Sequence, residues 1–391
     1  MPTALTADRL LISHENGGRF LDHPIVLLED GHIARIFARE ESELPPGAEL
    51  RQFPGATLAP AYLDVHIHGS AGHDVMEATP EALSTIAKFI GSHGTARFLA
   101  TTVTAPVDTT LRSLAGIAKH IASQDSAGHA SAEARIVGIH FEGPFISPHR
   151  RGVHPPDLIL PPDIALFDRM FDAAEGHARL MTLAPEMPGA LELAAHAVSR
   201  GVRISLGHSN ATAAETRAGI AAGAVSATHT FNAMRPFDHR EPGIIGTVLS
   251  NDSLFAELIC DGVHTSREAV RMWWRSKGRE RAILMTDAMA AAGRPDGMYR
   301  LGAMEVQVKD GRATAGDALA GSLLTLDRGV ANLVEFSGAP VADALRAAAF
   351  NPAAMIGQSS PALSPCKPAD LVAVDPAGRL IASVIGGVFA A

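Results

Sequence analysis

With 391 residues, 47% of them hydrophobic, and a formal net charge of −9, the chain can bury a large core and has no basic face with which to hold nucleic acid. Its 2 cysteines, Cys260 and Cys366, stand far apart outside any CxxC, which argues against a disulfide framework or a thiolate zinc site and suits a reducing cytoplasm. The first twenty residues carry Asp8, Arg9, Glu15 and Arg19 with no apolar h-region, and no later run reaches the roughly eighteen uncharged apolar residues of a membrane span, so neither secretion nor membrane insertion is expected.

Residues 1–57 alternate apolar and polar positions, with runs at Arg9-Leu10-Leu11-Ile12, Ile25-Val26-Leu27-Leu28 and Ile33-Ala34-Arg35-Ile36. Asp30-Gly31 between the last two is a hairpin signal, so this segment is predicted to be β-rich. From Ala59 the pattern becomes strand, polar turn, helix, with candidate strands near 61–67, 97–103, 135–141, 178–184, 202–207, 224–229, 254–261 and 282–286. Ala-rich stretches at 80–93, 107–123, 187–200 and 212–222 read as helices, the last opened by a Thr212-x-x-Glu215 capping box. Without a GxGxxG or Walker signature, this succession predicts an α/β protein built as a (β/α)8 TIM-type barrel. Residues 304–312 read as an inserted hairpin, 322–336 and 340–357 as helices, and Leu371-Val372-Ala373-Val374 and 380–385 as strands around a turn at Asp375-Pro376-Ala377-Gly378. The simplest closure pairs 1–57 with 358–391 in one small β-sandwich domain beside a barrel of residues 58–357.

Five of the apolar runs end in a metal-ligand or acid-base side chain: at His66 and His68, at Glu142, at His208, at His229 and at Asp287. A buried strand ending in such a residue before a turn offers it to a site, and barrel closure brings all the strand ends to one rim. His66-x-His68 sets two imidazoles on one face, because side chains on a strand repeat every two residues. Nitrogen and carboxylate ligands without thiolate suit Zn2+ or Fe2+.

The segments Asp64-Val65-His66-Ile67-His68-Gly69, His140-Phe141-Glu142-Gly143-Pro144-Phe145, Gly207-His208-Ser209-Asn210-Ala211, Thr228-His229-Thr230-Phe231-Asn232-Ala233-Met234 and Met285-Thr286-Asp287-Ala288 resemble those of the N-acetylglucosamine-6-phosphate deacetylase family, within the amidohydrolase superfamily. The similarity runs the length of the chain, including Ala320-Gly321-Ser322 and Asn351-Pro352-Ala353. The HxH pair marks only the superfamily, whereas Glu-Gly-Pro-Phe together with His-x-Phe-Asn-Ala-Met is far more specific. The resemblance implies a cytoplasmic enzyme of amino sugar metabolism that cleaves acetate from a phosphorylated N-acetyl amino sugar. It implies Glu142, His208 and His229 as ligands of the principal metal, Asp287 as the general acid-base, and His154 as a contact near the scissile amide. The phosphate would be received by Asn232, Ala233 and Arg240, and by His264 from the neighbouring subunit of a homodimer. Members of the family hold one metal or two, and the intact His66 and His68 leave room for a second bridged by Glu142. A carboxylated lysine bridge, as in many other amidohydrolases, has no candidate, since Lys88, Lys119, Lys277, Lys309 and Lys367 all lie away from the strand ends.

Plainer readings stand beside these. His14, His23, His32, His120, His129, His177 and His196 are expected to be ordinary surface or satisfied polar residues. Asp287 could cap a helix, Arg240 could pair with Glu241 on the surface, and Cys260 reads as an inert core thiol. The competing functions are deacetylation of the galactosamine epimer, hydrolysis of another N-acyl compound such as an N-acyl-D-amino acid, and a catalytically dead barrel scaffold, which would lack ligands that this chain retains.

Overall fold

The computed structural model describes residues 2–13, 19–127 and 131–390. His14 and His129 lie outside them. Strands Thr3–Ser13, Arg19–Asp22, Pro24–Glu29, His32–Ala38 and Glu49–Pro60 join Leu371–Val374, Leu380–Ile385 and Val388–Phe389 in one 8-stranded sheet. The two ends of the chain meet where Leu371 pairs antiparallel with Pro60. Asp30 and Gly31 turn the hairpin with φ of 47° and 78°, the pair of positive values a tight hairpin turn demands. Alternation then sorts the side chains: Leu5, Val26, Ile33, Leu58 and Leu371 gather in one cluster, and Ala4, Ile25, Leu27 and Phe37 in another.

The remainder is α/β. We label its parallel strands β1 (Tyr62–Ile67), β2 (Thr95–Thr102), β3 (Arg135–Glu142), β4 (Ala178–Leu183), β5 (Arg203–Leu206), β6 (Ala224–Ala227), β7 (Ala256–Ile259) and β8 (Ala282–Met285). The first six form a curled sheet in chain order, and β7 pairs with β8. Ala227 N donates to Phe255 O at 3.1 Å beside β6, and Asp287 N donates to His66 O at 2.8 Å beyond β8. Ile67 and Ala288 also form a parallel bridge. The strands are buried almost throughout, so they read as continuous apolar runs and not as alternating ones.

Helices cover the outside of this sheet. Pro80–Ser92 buries Leu83, Ile86, Ala87 and Ile90, the i, i+3, i+4, i+7 stripe of a helix with one apolar face, and Thr79 caps it by accepting from Ala82 N. Burying each of these leucines and isoleucines stabilises the packing by about 1.5–3 kcal/mol, so Ile86→Ala alone should be felt across the helix. The Thr212–Glu215 capping box is present at the start of Ala213–Ala221. Helices Ile164–Ala173, Gly243–Ser250 and Arg267–Arg281 are not among the expected ones; the first and last open on the N-caps Asp163 and Ser266, whereas the middle one consists largely of Gly, Ile and Val, which propensity does not assign to a helix. The insertion at 304–312 is larger than a hairpin. Gly297–Leu301, Met304–Lys309, Arg312–Ala315 and Ala318–Leu319 form a 4-stranded antiparallel sheet with its own small core around Val306 and Val308. Among the described residues no helix is long and apolar enough to cross a membrane.

Candidate active site

The C-terminal ends of the parallel strands point the same way, and the chemistry gathers there. His66 lies in β1 and His68 just past it, Glu142 ends β3, His208 and His229 lie two residues beyond β5 and β6, and Asp287 two beyond β8. His208, His229 and Asp287 all adopt left-handed backbone, with φ of 46°, 30° and 51°. Such conformations cost about 1–3 kcal/mol each for a residue with a side chain and persist where the surroundings impose them. Here the imposing contacts are backbone hydrogen bonds: Ser147 N to His208 O at 2.9 Å, Asn232 N to His229 O at 2.9 Å, and Ser322 N to Asp287 O at 2.6 Å. Asp64, buried within β1, accepts the Thr286 hydroxyl at 2.5 Å and ties β1 to the residue before Asp287. Burial raises the Asp64 carboxyl to about 6.

Glu142 is the centre. Its Oε1 lies 3.2 Å from His208 Nε2, 3.2 Å from His229 Nε2 and 3.3 Å from His66 Nε2. Its Oε2 lies 3.2 Å from His68 Nε2 and 3.5 Å from His154 Nε2. Asp287 Oδ1 stands 3.2 Å from His68 Nε2 and 3.5 Å from His66 Nε2. The imidazoles also face one another, His66 to His68 at 3.2 Å and His208 to His229 at 3.1 Å, all through Nε2. One proton between two such nitrogens leaves the remaining lone pairs and carboxylate oxygens in mutual repulsion. A divalent cation between them would satisfy the whole set, and the donor types fit Zn2+ or Fe2+.

Neighbouring groups fix the far nitrogens of some of these rings. His68 Nδ1 bonds Thr101 O at 3.1 Å, His208 Nδ1 bonds Arg150 O at 3.0 Å, and His154 Nδ1 meets Thr104 Oγ1 at 2.7 Å. The Nδ1 atoms of His66 and His229 have no hydrogen-bond partner among the described residues. Burial alone would raise the carboxyls of Glu142 and Asp287. The charge of His66 and hydrogen bonds from the other imidazoles outweigh it, holding Glu142 well below the usual range and Asp287 down at about 2. Burial pushes the His154 imidazole down to about 4 against the pull of Glu142. Burial would also lower His68, yet its bonds to Asp287 and Glu142 hold it well above the ordinary value.

These groups open into one cavity of about 290 Å3, whose wall includes His154, Asn232, Ala233 and His264. His264, expected from a neighbouring subunit, stands in the wall of its own chain's cavity. Asp261 puts it there: Oδ2 takes His264 Nδ1 at 2.7 Å, and Oδ1 takes the backbone N–H of Val263 and of His264 at 2.8 Å each. Arg240 is exposed and outside this wall. Nor does it pair with Glu241, whose carboxylate instead accepts Ala213 N at 2.7 Å and Gly243 N at 3.2 Å. Asp287 caps no helix. Cys260 is buried, and burial pushes its thiol far up. The sequence reading missed Thr101 and Thr104, although a Thr-Thr-Val-Thr run closing an apolar strand hints at polar work there. It also missed Leu301, Ala318 and Leu319, which the inserted sheet brings to the cavity and which no local pattern marks.

Comparison with known proteins agrees with this geometry. Residues 57–389 match the amidohydrolase family. The chain is 39% identical to an N-acetylgalactosamine-6-phosphate deacetylase of Escherichia coli O157:H7, over 96% of this chain and 96% of that one. It is 35% identical to an N-acetylglucosamine-6-phosphate deacetylase of Bacillus subtilis (strain 168), covering 92% of this chain and 91% of that one. Among solved structures, a mutant N-acetyl-D-glucosamine-6-phosphate deacetylase of Mycobacterium smegmatis in complex with N-acetyl-D-glucosamine 6-phosphate superposes with a TM-score of 0.90 at 34% identity, covering 100% of this chain and 99% of that one.

Proposed function

The chain belongs to the amidohydrolase family, and from that premise we propose that it is a metal-dependent hydrolase that removes the acetyl group from N-acetyl-D-glucosamine 6-phosphate, giving D-glucosamine 6-phosphate and acetate. One observation carries the reading: Glu142, His208, His229, His68 and Asp287 converge on a cavity that also offers His264, Asn232 and Ala233, with His66 behind them against Glu142. A second reading, the galactosamine epimer, is favoured by the relative at 39% identity.

Glu142, His208 and His229 would hold the principal cation, Zn2+ or Fe2+, and His66 and His68, beside the same Glu142, would hold a second. When bound, such a cation lowers the pKa of a water toward about 7 and polarises the amide carbonyl. Asp287, ionised at neutral pH, takes the proton of the attacking water as its oxygen bonds to the carbonyl carbon. The same carboxyl gives that proton to the nitrogen as the C–N bond breaks, so the amine leaves with acetic acid, whose remaining water proton is released as it ionises to acetate. His154 is neutral there. Thr104 Oγ1 at 2.7 Å and Thr104 N–H at 3.4 Å both face its Nδ1; with Nδ1 accepting, the proton is on Nε2, facing the carboxylate centre. From that position it can donate to the oxygen that gains charge in the tetrahedral intermediate.

Asn232, Ala233 and His264 would receive the phosphate. Arg240 would meet it from a second copy of the chain, in a cytoplasmic homodimer that shares its sites by way of Arg240 and not, as the sequence suggested, His264. We also infer the division into a closed (β/α)8 barrel of residues 58–357 and a small β-sandwich domain of residues 1–57 and 358–391. The test is acetate release, with metal analysis of the same preparation, from N-acetylglucosamine 6-phosphate, its galactosamine epimer and the unphosphorylated sugar. Preference for a phosphorylated sugar, with at least one divalent cation per chain, is expected. Equal turnover of the unphosphorylated sugar would overturn the substrate class, and faster turnover of the epimer would select the second reading.

A further inference from the structure

Below the carboxylate centre, a row of fully buried polar side chains crosses the strands: His140 on β3, Thr182 on β4, Thr228 just past β6, Ser205 on β5, and Glu257 on β7, with Ser226 of β6 joining at Glu257. Ser205 Oγ and Ser226 Oγ both donate to Glu257 Oε1, at 2.9 and 2.7 Å. Thr228 Oγ1 donates to Ser205 Oγ at 2.7 Å. Thr182 Oγ1 lies 2.9 Å from Thr228 Oγ1, and His140 Nε2 lies 2.8 Å from Thr182 Oγ1.

Each hydroxyl has a single proton, which fixes the direction of the whole row. Ser205 spends its proton on Glu257 and so accepts from Thr228. Thr228 has then spent its own, so Thr182 must donate to it. Thr182 has none left, and His140 must therefore donate from Nε2. Every proton points toward Glu257, and His140 is held as the tautomer protonated on Nε2, its Nδ1 meeting only a long 3.5 Å approach from Thr101 Oγ1. The row ends on an oxygen that accepts twice, while Glu257 Oε2 has no partner among the described residues. Burial raises the Glu257 carboxyl against the hydrogen bonds from Ser226 and Ser205.

His140 stands edge-on to the His66 ring, centroids 4.6 Å apart and planes at 85°. That contact matters because of what His66 lacks. His68 and His208 are oriented through Nδ1 by carbonyl oxygens, the usual arrangement for metal-binding imidazoles, whereas among the described residues the Nδ1 atoms of His66 and His229 have no partner, and of these two rings it is His66 that His140 meets edge-on. We propose that His140, locked in one tautomer by the Thr182–Thr228–Ser205–Glu257 row, is the positioning residue that orients His66 toward the metal. The proposal deepens the site reading above and rests on it.

The test uses full-length protein with Thr182→Val, which keeps shape and removes the hydroxyl; Thr182→Ser, which restores it; and Glu257→Gln, which keeps a neutral acceptor. Two quantities are measured: the His140 tautomer, by nitrogen-15 NMR of histidine-labelled metal-free protein, and Zn2+ affinity, by competition with a chelator. Wild type, Thr182→Ser and Glu257→Gln should show the Nε2-protonated tautomer. Thr182→Val should lose that single tautomer and bind the more weakly held Zn2+ about 10–100-fold less tightly, the usual cost of a lost outer contact. A His140 protonated on Nδ1 in wild type, or a Thr182→Val protein with wild-type tautomer and affinity, overturns the proposal. So does a Thr182→Ser protein as damaged as Thr182→Val, which would mean that the hydroxyl is not what holds His140. A wild type that binds no Zn2+ sinks the site reading instead, and there the tautomer alone judges the row.

Discussion

His229 Nε2 stands 3.1 Å from His208 Nε2, although the two rings leave neighbouring strands through left-handed turns. Two imidazole nitrogens so placed can share one proton at most, and Glu142 Oε1 lies 3.2 Å from each. The arrangement fits three ligands on one cation better than any hydrogen-bonding scheme among the three groups. His229 supplies one of the three donor atoms of that set. His229→Ala is therefore expected to lose most of its tightly bound metal and, with it, most of its activity, read by elemental analysis and acetate release. Stoichiometric metal and normal turnover in that variant would remove His229 from the ligand set.

Phosphate recognition makes a separable prediction, since His264 lines the cavity and Arg240 does not. Charge-assisted hydrogen bonds to phosphate act on substrate binding, so His264→Ala and Arg240→Ala should each raise KM for the phosphorylated sugar and leave the slow hydrolysis of the unphosphorylated sugar nearly unchanged. Equal losses on both sugars would count against a phosphate role. Mixed preparations test sharing between copies. If Arg240 serves the partner's cavity and His264 its own, a mixed dimer puts both lesions in one cavity and leaves the other intact, so part of the activity returns. A mixture as inactive as its parents would argue that Arg240 serves its own chain.

The strands that carry the site were legible because they are apolar along their whole length and end abruptly in a charged or ring side chain, as at Ile139-His140-Phe141-Glu142 and Ile283-Leu284-Met285-Thr286-Asp287. Their observed bounds fall within a few residues of the expected ones. The His66-x-His68 spacing was legible for the same reason, since a period of two fixes the face. Contacts that depend on which loop folds over which strand left no such trace. Thr104 meets His154 from 50 residues away, and the inserted sheet contributes Leu301 and Leu319 from strands with ordinary alternation. His264 stands in the wall of its own chain's cavity, held by Asp261 three residues earlier, a contact that the resemblance does not supply.

Lys277 gives a prediction about stability and its pH dependence. Buried in Arg267–Arg281, its ammonium donates to Val248 O at 3.0 Å and Asn251 O at 2.6 Å, tying off the end of helix Gly243–Ser250. Burial lowers its pKa to about 8, against the partial compensation of Asp252. The folded value lies below the unfolded value of about 10.4, so between the two the unfolded chain binds more protons and stability rises with pH. Lys277→Met should flatten that rise over the window from about 8 to about 10.4, measured as the difference in urea midpoints between variant and wild type. Identical pH slopes for the two proteins would show that the ammonium is not desolvated in the fold.

Asp287 offers the sharpest test of the chemistry. Its Oδ1 faces His66 and His68, its backbone N–H is bound to His66 O at 2.8 Å, and the carboxyl is held down at about 2 in the chain itself. It is therefore ionised through the neutral range and ready to accept a proton, and that capacity is lost only as the pH falls toward its pKa. Asparagine keeps the shape and one accepting oxygen but takes no proton from water. Asp287→Asn should fold, hold its metal and bind substrate with KM changed little, while kcat falls by at least the ~10²-fold that a general base contributes. Whatever part of the acidic limb of the kcat profile belongs to this carboxyl should vanish with it. A variant with kcat within a few-fold of wild type and an unchanged acidic limb would move the proton transfer elsewhere. His154, whose Nε2 lies 3.5 Å from Glu142 Oε2, is then the next residue to replace.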